Sequence, residues 1–245
     1  MKINTVGIVG YGNFGSFLYE LGQRFFPNIE IRVYSRRKDI DNKTFFALET
    51  VAQSDVVILC GAIREYEEQI DQVLKLALPD TILVDVATVK KHTSELLHKH
   101  CNGRRFISTH PMFGPESYKK HNANVSGFRI VVTDYVLKND DYQLLKNMFA
   151  TLGFLIIEMT ADEHDERLAE TLFLTHYVGQ SIIHAGFSRT AIDTLSFQFL
   201  MDAVESVKDD KELFEDVYRF NSYCKPVAKR LHAAQEEVYK GLVSY

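Results

Sequence analysis

The sequence predicts an α/β fold in which a parallel sheet covered by helices is followed by an all-helical domain. Short runs rich in β-branched residues alternate with helical patterns through the first two thirds of the 245 residues, which is typical of parallel sheets with crossover helices. From about residue 160 onward, apolar residues recur at helical spacing, and Pro226 is the only proline there. The two parts of the chain therefore belong to different structural classes.

Seven strands and one helix start define the predicted domains. Thr160 and Glu163 match a capping box, in which the hydroxyl accepts from a first-turn amide and the carboxylate bonds back to the threonine amide. We therefore expect one domain over residues 1–158 and a second over residues 159–245. The strands are short apolar runs bounded by turn residues: Thr5–Val9, Glu30–Tyr34, Val56–Cys60, Ile82–Val86, Phe106–Thr109, Arg129–Thr133 and Phe154–Glu158.

Composition excludes several classes of partner and site. Hydrophobic residues make up 46% and charged residues 25%, an ordinary globular balance, and the net charge of −5 argues against binding to nucleic acid or an anionic membrane. Cys60, Cys101 and Cys224 share no close spacing, so we expect neither a disulfide framework nor a metal site. No run approaches the roughly 20 apolar residues of a membrane span. The chain opens as a strand rather than a signal segment, and we expect a cytoplasmic protein.

A glycine-rich loop follows the first predicted strand. Gly10-Tyr11-Gly12-Asn13-Phe14-Gly15 matches G-x-G-x-x-G and leads into a helical run. The glycines permit a tight turn, close approach of a pyrophosphate and packing of the helix on the strand, while the helix start offers free amides. This context predicts a Rossmann dinucleotide site built from Gly10, Gly12, Asn13, Phe14 and Gly15. The alternative is a simple tight turn.

The end of the second strand indicates which dinucleotide binds. An NAD enzyme usually places Asp or Glu about 20 residues beyond the fingerprint, where it binds the ribose 2′-hydroxyl. This chain has Ser35 there, followed by Arg36 and Arg37. Two guanidinium groups suit a 2′-phosphate better than a hydroxyl, so we predict NADP. The alternative is a solvated basic turn running into Lys38.

Polar residues after two later strands suggest a catalytic pair. His110 follows the fifth strand and precedes a loop with Pro111 and a Gly-Pro pair, which holds it at the rim of the sheet. Its ordinary pKa near 6.5 suits a general base. Thr88 follows the fourth strand and is placed to orient the imidazole. The alternative is that His110 caps a helix or tethers a loop.

Four segments resemble the prephenate/arogenate dehydrogenase family. Asp85–Lys90 is similar to its D-V-x-S-V-K segment, with Thr88 replacing the usual serine. Thr109–Ser117 is similar to T-H-P-M-F-G-P-E-S, particularly as found in plant-type arogenate dehydrogenases. Glu163–Asp165 and Thr175–Gln180 resemble that branch's E-H-D and T-H-x-V-G segments. Together with the glycine loop, the resemblance runs from residue 6 to about residue 185.

The resemblance implies an oxidoreductase of tyrosine biosynthesis. Such an enzyme converts arogenate or prephenate to tyrosine or 4-hydroxyphenylpyruvate, with hydride transfer to NADP. It implies that His110 bonds to the substrate hydroxyl and that Thr88 takes the role of the partner serine. It also implies homodimers built from the helical domain.

Recognition of the substrate carboxylate is less defined. Many bacterial members have a second histidine where this chain has Gly179, so the carboxylate must be bound elsewhere. We expect Ser117, His176 and Gln180 to bind substrate, while Arg189 and Arg219 are alternatives for the carboxylate. His176 is equally well explained as a core histidine. Lys90 is expected to be a solvated or capping residue.

The helical half carries more apolar residues than one thin layer needs, which favours a homodimer joined through residues 160–245. A monomer whose helices pack on one another is the alternative. These residues are Phe173, Ile182, Ile183, Phe187, Leu195, Phe197, Phe199, Leu200 and Met201.

Two other functions share this layout. A 6-phosphogluconate- or hydroxyisobutyrate-type dehydrogenase would carry a lysine base on a helix of the second domain, and the sequence has no such segment. An NADP-binding redox sensor without catalysis would not need His110 and Thr88 at paired strand ends.

Overall fold

The computed structural model describes residues 2–244 and divides into two compact units, Met1–Ala161 and Asp162–Tyr245. The first unit holds one sheet whose strands stand in the order β2-β1-β3-β4-β5-β6-β7. The sheet and its helices form the Rossmann-like part of the α/β fold that the sequence predicted. The strands are β1 (Thr5–Val9), β2 (Glu30–Tyr34), β3 (Val56–Leu59), β4 (Ile82–Asp85), β5 (Phe106–Pro111), β6 (Arg129–Val136) and β7 (Leu155–Glu158).

The direction of the last two strands corrects the expectation of a parallel sheet. Strands β1 to β5 are mutually parallel, but β6 runs antiparallel to β5, and β7 runs parallel to β6. The segment between β5 and β6 contains a helix of only six residues, and antiparallel neighbours need no long crossover. Apolar periodicity predicts that a strand exists but not its direction, so the reversal was invisible in the sequence.

Helices connect the strands and cover both faces of the sheet. A single 3₁₀ turn, Ile63–Glu65, follows β3 and leads directly into α3. Phe17 and Leu21 of the first helix pack with Phe113 and Phe154 in one apolar cluster, and each such side chain contributes about 1.5–3 kcal/mol when fully buried. The helices are α1 (Asn13–Phe25), α2 (Leu48–Ala52), α3 (Tyr66–Leu76), α4 (Lys91–Cys101), α5 (Pro115–Lys120) and α6 (Asn139–Thr151).

The second unit is all-helical, as predicted. Its first helix begins at Ala161, directly after the predicted cap Thr160, and a π-helical turn at Ala169–Phe173 joins it to the next. Phe173 is buried and stacks on the rings of Tyr177 and Phe214, at 5.8 and 5.5 Å between ring centroids. The helices are α7 (Ala161–Leu168), α8 (Leu174–His184), α9 (Leu195–Val207), α10 (Lys211–Phe220) and α11 (Cys224–Val243).

Gly179 sets the close packing of α8 on α9. A Cβ atom at this position would lie 2.6 Å from Cγ2 of Val207. A side chain larger than that of glycine at this position would therefore crowd α9. Within residues 2–244, none of the helices combines the length and the apolar character that a membrane span needs.

Candidate active site

The loops after β1, β2 and β3 meet at the carboxyl edge of the sheet. The amide of Gly10, after β1, donates to the carbonyl of Tyr34 at the end of β2 (2.9 Å). The amide of Cys60, after β3, donates to the carbonyl of Val9 at the end of β1 (2.8 Å). Open α/β sheets bind their ligands outside this edge.

The three glycines of the loop meet different steric demands. Gly10 has a φ of +107°, and a Cβ there would lie 2.9 Å from the backbone of Cys60. A Cβ on Gly15 would lie 2.1 Å from the carbonyl oxygen of Gly10. A Cβ on Gly12 would meet nothing within 4 Å. Close packing therefore requires glycine at Gly10 and Gly15, while Gly12 faces open space into which a pyrophosphate fits.

Helix α1 presents its amino end to that space. It begins at Asn13, with no acidic residue in its first turn and, within the described chain, no side-chain capping bond. The first amides of a helix have no partner inside it and carry the positive end of the helix dipole. The ring of Phe14 packs on the core, 6.1 Å from that of Phe17, so its backbone amide rather than its side chain is the group that faces the cradle. This cradle fits a dinucleotide.

The turn after β2 holds the two arginines. The amide of Arg37 donates to Oγ of Ser35 (3.2 Å), which shapes the turn. Nη2 of Arg36 lies 2.5 Å from Oε2 of Glu65, at the end of the 3₁₀ turn after β3. The sequence analysis missed this pairing, because it joins residues 29 positions apart.

A fully buried ion pair joins the ends of β4 and β5. Nζ of Lys90 lies 2.5 Å from Oδ2 of Asp85, and both side chains are 0% exposed. The same Nζ donates to the carbonyl oxygen of Thr109 (2.7 Å). The prediction that Lys90 is solvated was wrong, because its charge is compensated by a buried carboxylate that the linear motif does not reveal. Lys90 occupies the cap position before α4, but its side chain makes no capping bond.

The other lone pairs of Asp85 are also satisfied. Oδ2 accepts from the hydroxyls of Thr93 (2.7 Å) and Ser108 (2.9 Å), and Oδ1 accepts from the amide of Ala87 (2.8 Å). A buried charge costs several kcal/mol unless it is paired and hydrogen-bonded, and here it is both. The network therefore ties β4, the start of α4 and β5 together.

Tyr66 lies against the same carboxylate. Its hydroxyl donates to the carbonyl of Leu59 at the end of β3 (2.8 Å) and accepts from the amide of Val86 (3.3 Å). Burial, together with the charge and hydrogen bond of Asp85, raises the pKa of Tyr66 well above its usual value. Burial and the same charge raise the pKa of the Cys60 thiol. Both groups are therefore neutral at physiological pH, and the hydrogen bonds of the Tyr66 hydroxyl link the end of β3 to the residue after β4.

His110 and Thr88 stand at this edge, after neighbouring strands. His110 is 6% exposed and is the second-last residue of β5, directly after Thr109. The hydroxyl of Thr109 donates to the carbonyl of Asp85 (2.8 Å), so the residue before His110 is held by both its side chain and its carbonyl. Thr88 is partly buried, three residues beyond the end of β4. Asp85 pairs with Ser108 in the ladder, which places both segments at one edge.

Ser117 and Gln180, two of the three predicted substrate residues, bond to backbone groups of their own units. Oγ of Ser117 accepts from the amide of Gly114 (2.8 Å) and donates to its carbonyl (2.9 Å), which closes the first turn of α5. Nε2 of Gln180 donates to the carbonyls of Val207 (3.0 Å) and Lys208 (3.4 Å) at the end of α9. Ser117 lies in the first unit and Gln180 in the second, and these bonds give each a packing role.

His176 is buried within the second unit. Its Nδ1 donates to the carbonyl of Leu172 (2.9 Å), and its ring stacks on that of Phe214. Its Nε2 lies 3.7 Å from a carboxylate oxygen of Asp210. This environment agrees with the alternative of a core histidine.

The two arginines considered for binding the substrate carboxylate also contact other side chains of the second unit. Arg189 pairs with Asp202 (2.6 Å) and Glu205 (2.7 Å), and these carboxylates raise the pKa of its guanidinium. The guanidinium of Arg219 lies over the ring of Phe220, 5.2 Å from its centroid. Arg189 is therefore engaged by two carboxylates of α9 in this structure.

A second buried polar cluster escaped the sequence analysis except as part of the family resemblance. His164 and Asp165 are 3% and 1% exposed, and Nδ1 of the histidine lies 2.8 Å from Oδ1 of the aspartate. Nδ2 of Asn221 donates to the carbonyl of Asp165 (2.8 Å), which ties α7 to the turn after α10. Polar residues at core positions of an amphipathic helix are the signal in the sequence that could have identified them. Among residues 2–244, no group of three or more His, Cys, Asp or Glu side chains is arranged to hold a metal.

Replacing Lys90 tests the buried ion pair. We expect Lys90→Met to lower the free energy of unfolding by about 3–5 kcal/mol, because it strands the carboxylate of Asp85 in the core. The double variant Asp85→Asn/Lys90→Met should recover part of this loss, since it buries no net charge. Chemical denaturation measures both. The control is Lys99→Met, which breaks an exposed pair with Glu67 and should change stability little. A Lys90→Met variant as stable as the control would contradict the assignment.

Comparison with known proteins matches this chain to one family. Residues 33–153 match the model of the prephenate dehydrogenase nucleotide-binding domain. Over 249 aligned residues, the chain is 29% identical to arogenate dehydrogenase 1, chloroplastic, of Arabidopsis thaliana, covering 95% of this chain and 38% of that protein. It is 28% identical to arogenate dehydrogenase 2, chloroplastic, of the same plant, covering 97% of this chain and 69% of that protein. The chain thus spans about two fifths of the length of the first relative.

Solved structures agree on the fold. Prephenate dehydrogenase from A. aeolicus, in complex with hydroxyphenyl propionate and NAD+, superposes with a TM-score of 0.76 at 17% identity, covering 100% of this chain and 92% of that one. Arogenate dehydrogenase from Synechocystis gives a TM-score of 0.69 at 20% identity, covering 98% and 92%. The family model identifies residues 33–153 as a nucleotide-binding domain of the prephenate dehydrogenase type, and the plant relatives are similar to this chain over almost all of its length.

Proposed function

We propose that this protein catalyses the NADP-dependent oxidative decarboxylation of arogenate or prephenate to tyrosine or 4-hydroxyphenylpyruvate. The observation that carries the proposal is the placement of His110. This titratable side chain stands at the end of β5, on the same sheet edge as the glycine cradle, and its preceding residue is held by the Asp85–Lys90 network. A base and a dinucleotide cradle on one edge are what hydride abstraction from an alcohol requires.

The chain's own residues account for the proton side of this chemistry. The substrate is a cyclohexadienol with a ring carboxylate opposite its hydroxyl carbon. His110 accepts the hydroxyl proton, which the neutral imidazole does near neutral pH, and Thr88 orients the imidazole. The bound cofactor supplies the hydride acceptor. The carboxylate then departs as carbon dioxide, its bonding electrons enter the ring, which becomes aromatic, and the resulting phenolate oxygen takes the proton back from His110. A positioned base of this kind contributes about 10²–10⁴-fold in rate.

Two features support NADP as the cofactor. The residue after β2 is Ser35 rather than an acid, so no carboxylate is offered to the ribose 2′-hydroxyl at this position. Arg36 and Arg37 follow in an exposed turn, where a 2′-phosphate can form charge-assisted bonds. The glycine cradle itself suits either dinucleotide.

We propose that the second unit forms a homodimer. The chain presents large apolar side chains there that its own helices leave in solvent, and Ile192 is 89% exposed. Phe173 and Met201 are buried within the unit, so the excess is confined to the outer faces. The exposed set is Ile183, Phe187, Ile192, Leu195, Phe199, Leu200, Tyr218, Val238, Tyr239, Leu242 and Val243.

A steady-state assay tests the activity and the cofactor together. We expect NADPH to form on addition of arogenate or prephenate, with kcat/KM for NADP at least about tenfold above that for NAD, because only NADP gains the arginine contacts. The measurement is kcat/KM for both substrates with both cofactors. No turnover of either substrate would contradict the activity, and equal use of the two cofactors would contradict the NADP assignment alone.

Removing the imidazole tests the base. His110→Ala should lower kcat by about a hundredfold or more and leave the Kd for NADP nearly unchanged, because the loss lies in proton transfer. His98→Ala is the control, since His98 pairs with Asp134 at the surface, and it should retain normal turnover. Near-normal kcat in His110→Ala would show that this histidine is structural.

Mass measurement tests the dimer. Light scattering at micromolar concentration should give twice the 28.1 kDa of one chain. Phe199→Glu, at a 64% exposed position of α9, should shift the mass toward one chain, because it places a charge in the apolar surface that the proposed dimer buries. The control Leu144→Glu, at a 48% exposed position of α6, should remain dimeric. A single-chain mass for the unmodified protein would end the proposal.

A further inference from the structure

An exposed ion pair bridges the loops on either side of the glycine cradle. Arg36 lies in the turn after β2, and Glu65 closes the 3₁₀ turn after β3, with 2.5 Å between Nη2 and Oε2. Strand β1, which carries the glycine loop, lies between β2 and β3 in the sheet. Gly10 bonds to the end of β2 and packs on the backbone of Cys60 after β3. The pair therefore spans the adenosine end of the cradle.

Exposure makes this pair a poor candidate for a stabilising element. The side chains of Arg36 and Glu65 are 64% and 38% exposed. Exposed pairs are screened by water and salt and contribute little to folding. The buried pair of Asp85 and Lys90, by contrast, is wholly excluded from solvent. Because the ion pair with Glu65 is weak, a ligand that carries more negative charge can replace Glu65 beside Arg36.

The residue positions at the end of β2 are those that read the adenosine ribose in Rossmann domains. A 2′-phosphate bound there takes the guanidinium of Arg36, and it carries more negative charge than a carboxylate. Glu65 then loses its partner and faces the phosphate as a like charge. A ribose with a free 2′-hydroxyl does not need the guanidinium, so the pair stays intact.

We infer that Glu65 determines cofactor discrimination by competing with the 2′-phosphate for Arg36. This inference rests on the NADP dependence proposed above. Glu65 weakens binding of the phosphorylated cofactor and leaves binding of the unphosphorylated one unchanged. The chain therefore discriminates between the two cofactors less sharply than its two arginines alone would allow. The side chain that limits this discrimination comes from the 3₁₀ turn after β3, not from the turn after β2.

Fragment binding isolates the adenosine half of the cofactor. The ligands are 2′,5′-ADP, which carries the 2′-phosphate, and 5′-AMP, which lacks it, and isothermal titration calorimetry measures the Kd of each. The variant Glu65→Gln removes the carboxylate charge and keeps the shape. The control Glu68→Gln removes an identical charge from an exposed site of α3, where Glu68 accepts from Gln72 (2.8 Å). Both variants move the net charge from −5 to −4.

We expect Glu65→Gln to bind 2′,5′-ADP about two- to tenfold more tightly than Glu68→Gln does, because an exposed pair is lost and a like charge is removed. The Kd for 5′-AMP should be the same in both. The gain should shrink at high salt, since the competition is between exposed charges.

Other outcomes overturn the inference in distinguishable ways. If Glu65→Gln matches Glu68→Gln for both ligands, Glu65 does not compete for Arg36. If Glu65→Gln weakens 2′,5′-ADP, the carboxylate positions Arg36 for the phosphate, and if it weakens 5′-AMP, the carboxylate binds the ribose itself. Arg36→Ala separates these failures from a failure of the proposed cofactor. A large loss of 2′,5′-ADP affinity in Arg36→Ala would support the NADP assignment, whereas an unchanged affinity would contradict it.

Discussion

The buried pair of Asp85 and Lys90 is the interaction on which the catalytic edge depends. Two opposite charges have left water completely, and they remain stable because the hydroxyls of Thr93 and Ser108 and the carbonyl of Thr109 satisfy them. Strand β4, the start of α4 and strand β5 are tied by these bonds. The proposed base lies near the end of β5 and its partner threonine three residues beyond β4, so the bonds that hold this sheet edge also hold the segments that carry the two proposed residues.

The dinucleotide cradle depends on backbone rather than on charge. Gly10 and Gly15 are required because any Cβ would meet neighbouring main-chain atoms, and Gly12 leaves space before the amides of α1. At the rim of the cradle, Arg36 from the turn after β2 meets Glu65 from the 3₁₀ turn after β3. The cradle therefore depends on steric fit, and the exposed charges at its rim are the groups to which we assign the choice between NADP and NAD.

The side chains of the second unit serve mainly to pack its helices. Its polar side chains are largely engaged in holding helices together, as Gln180 caps α9 and Asn221 ties α7 to the turn after α10. Its apolar side chains exceed what one copy buries, most clearly at Ile192 and Phe199. A helix that is apolar on more than one face must be covered on more than one face. The residues of this unit that resemble the family segments therefore contribute to helix packing at least as much as to substrate binding.

Local rules were enough for the order of elements, because strand runs, the glycine loop and the cap at Thr160 each act over a few neighbouring residues. They predicted all seven strands and the edge at which His110 and Thr88 stand. Tertiary structure alone decided the reversal of β6, since apolar periodicity carries no direction. It also decided the burial of Lys90, which the sequence analysis expected in solvent, and the pairing of Arg36 with Glu65. Arg36 and Glu65 are 29 positions apart in the chain, whereas Asp85 and Lys90 are only five apart. In both cases the two charges are brought together by the assembled sheet and its connections, which the spacing of residues does not reveal.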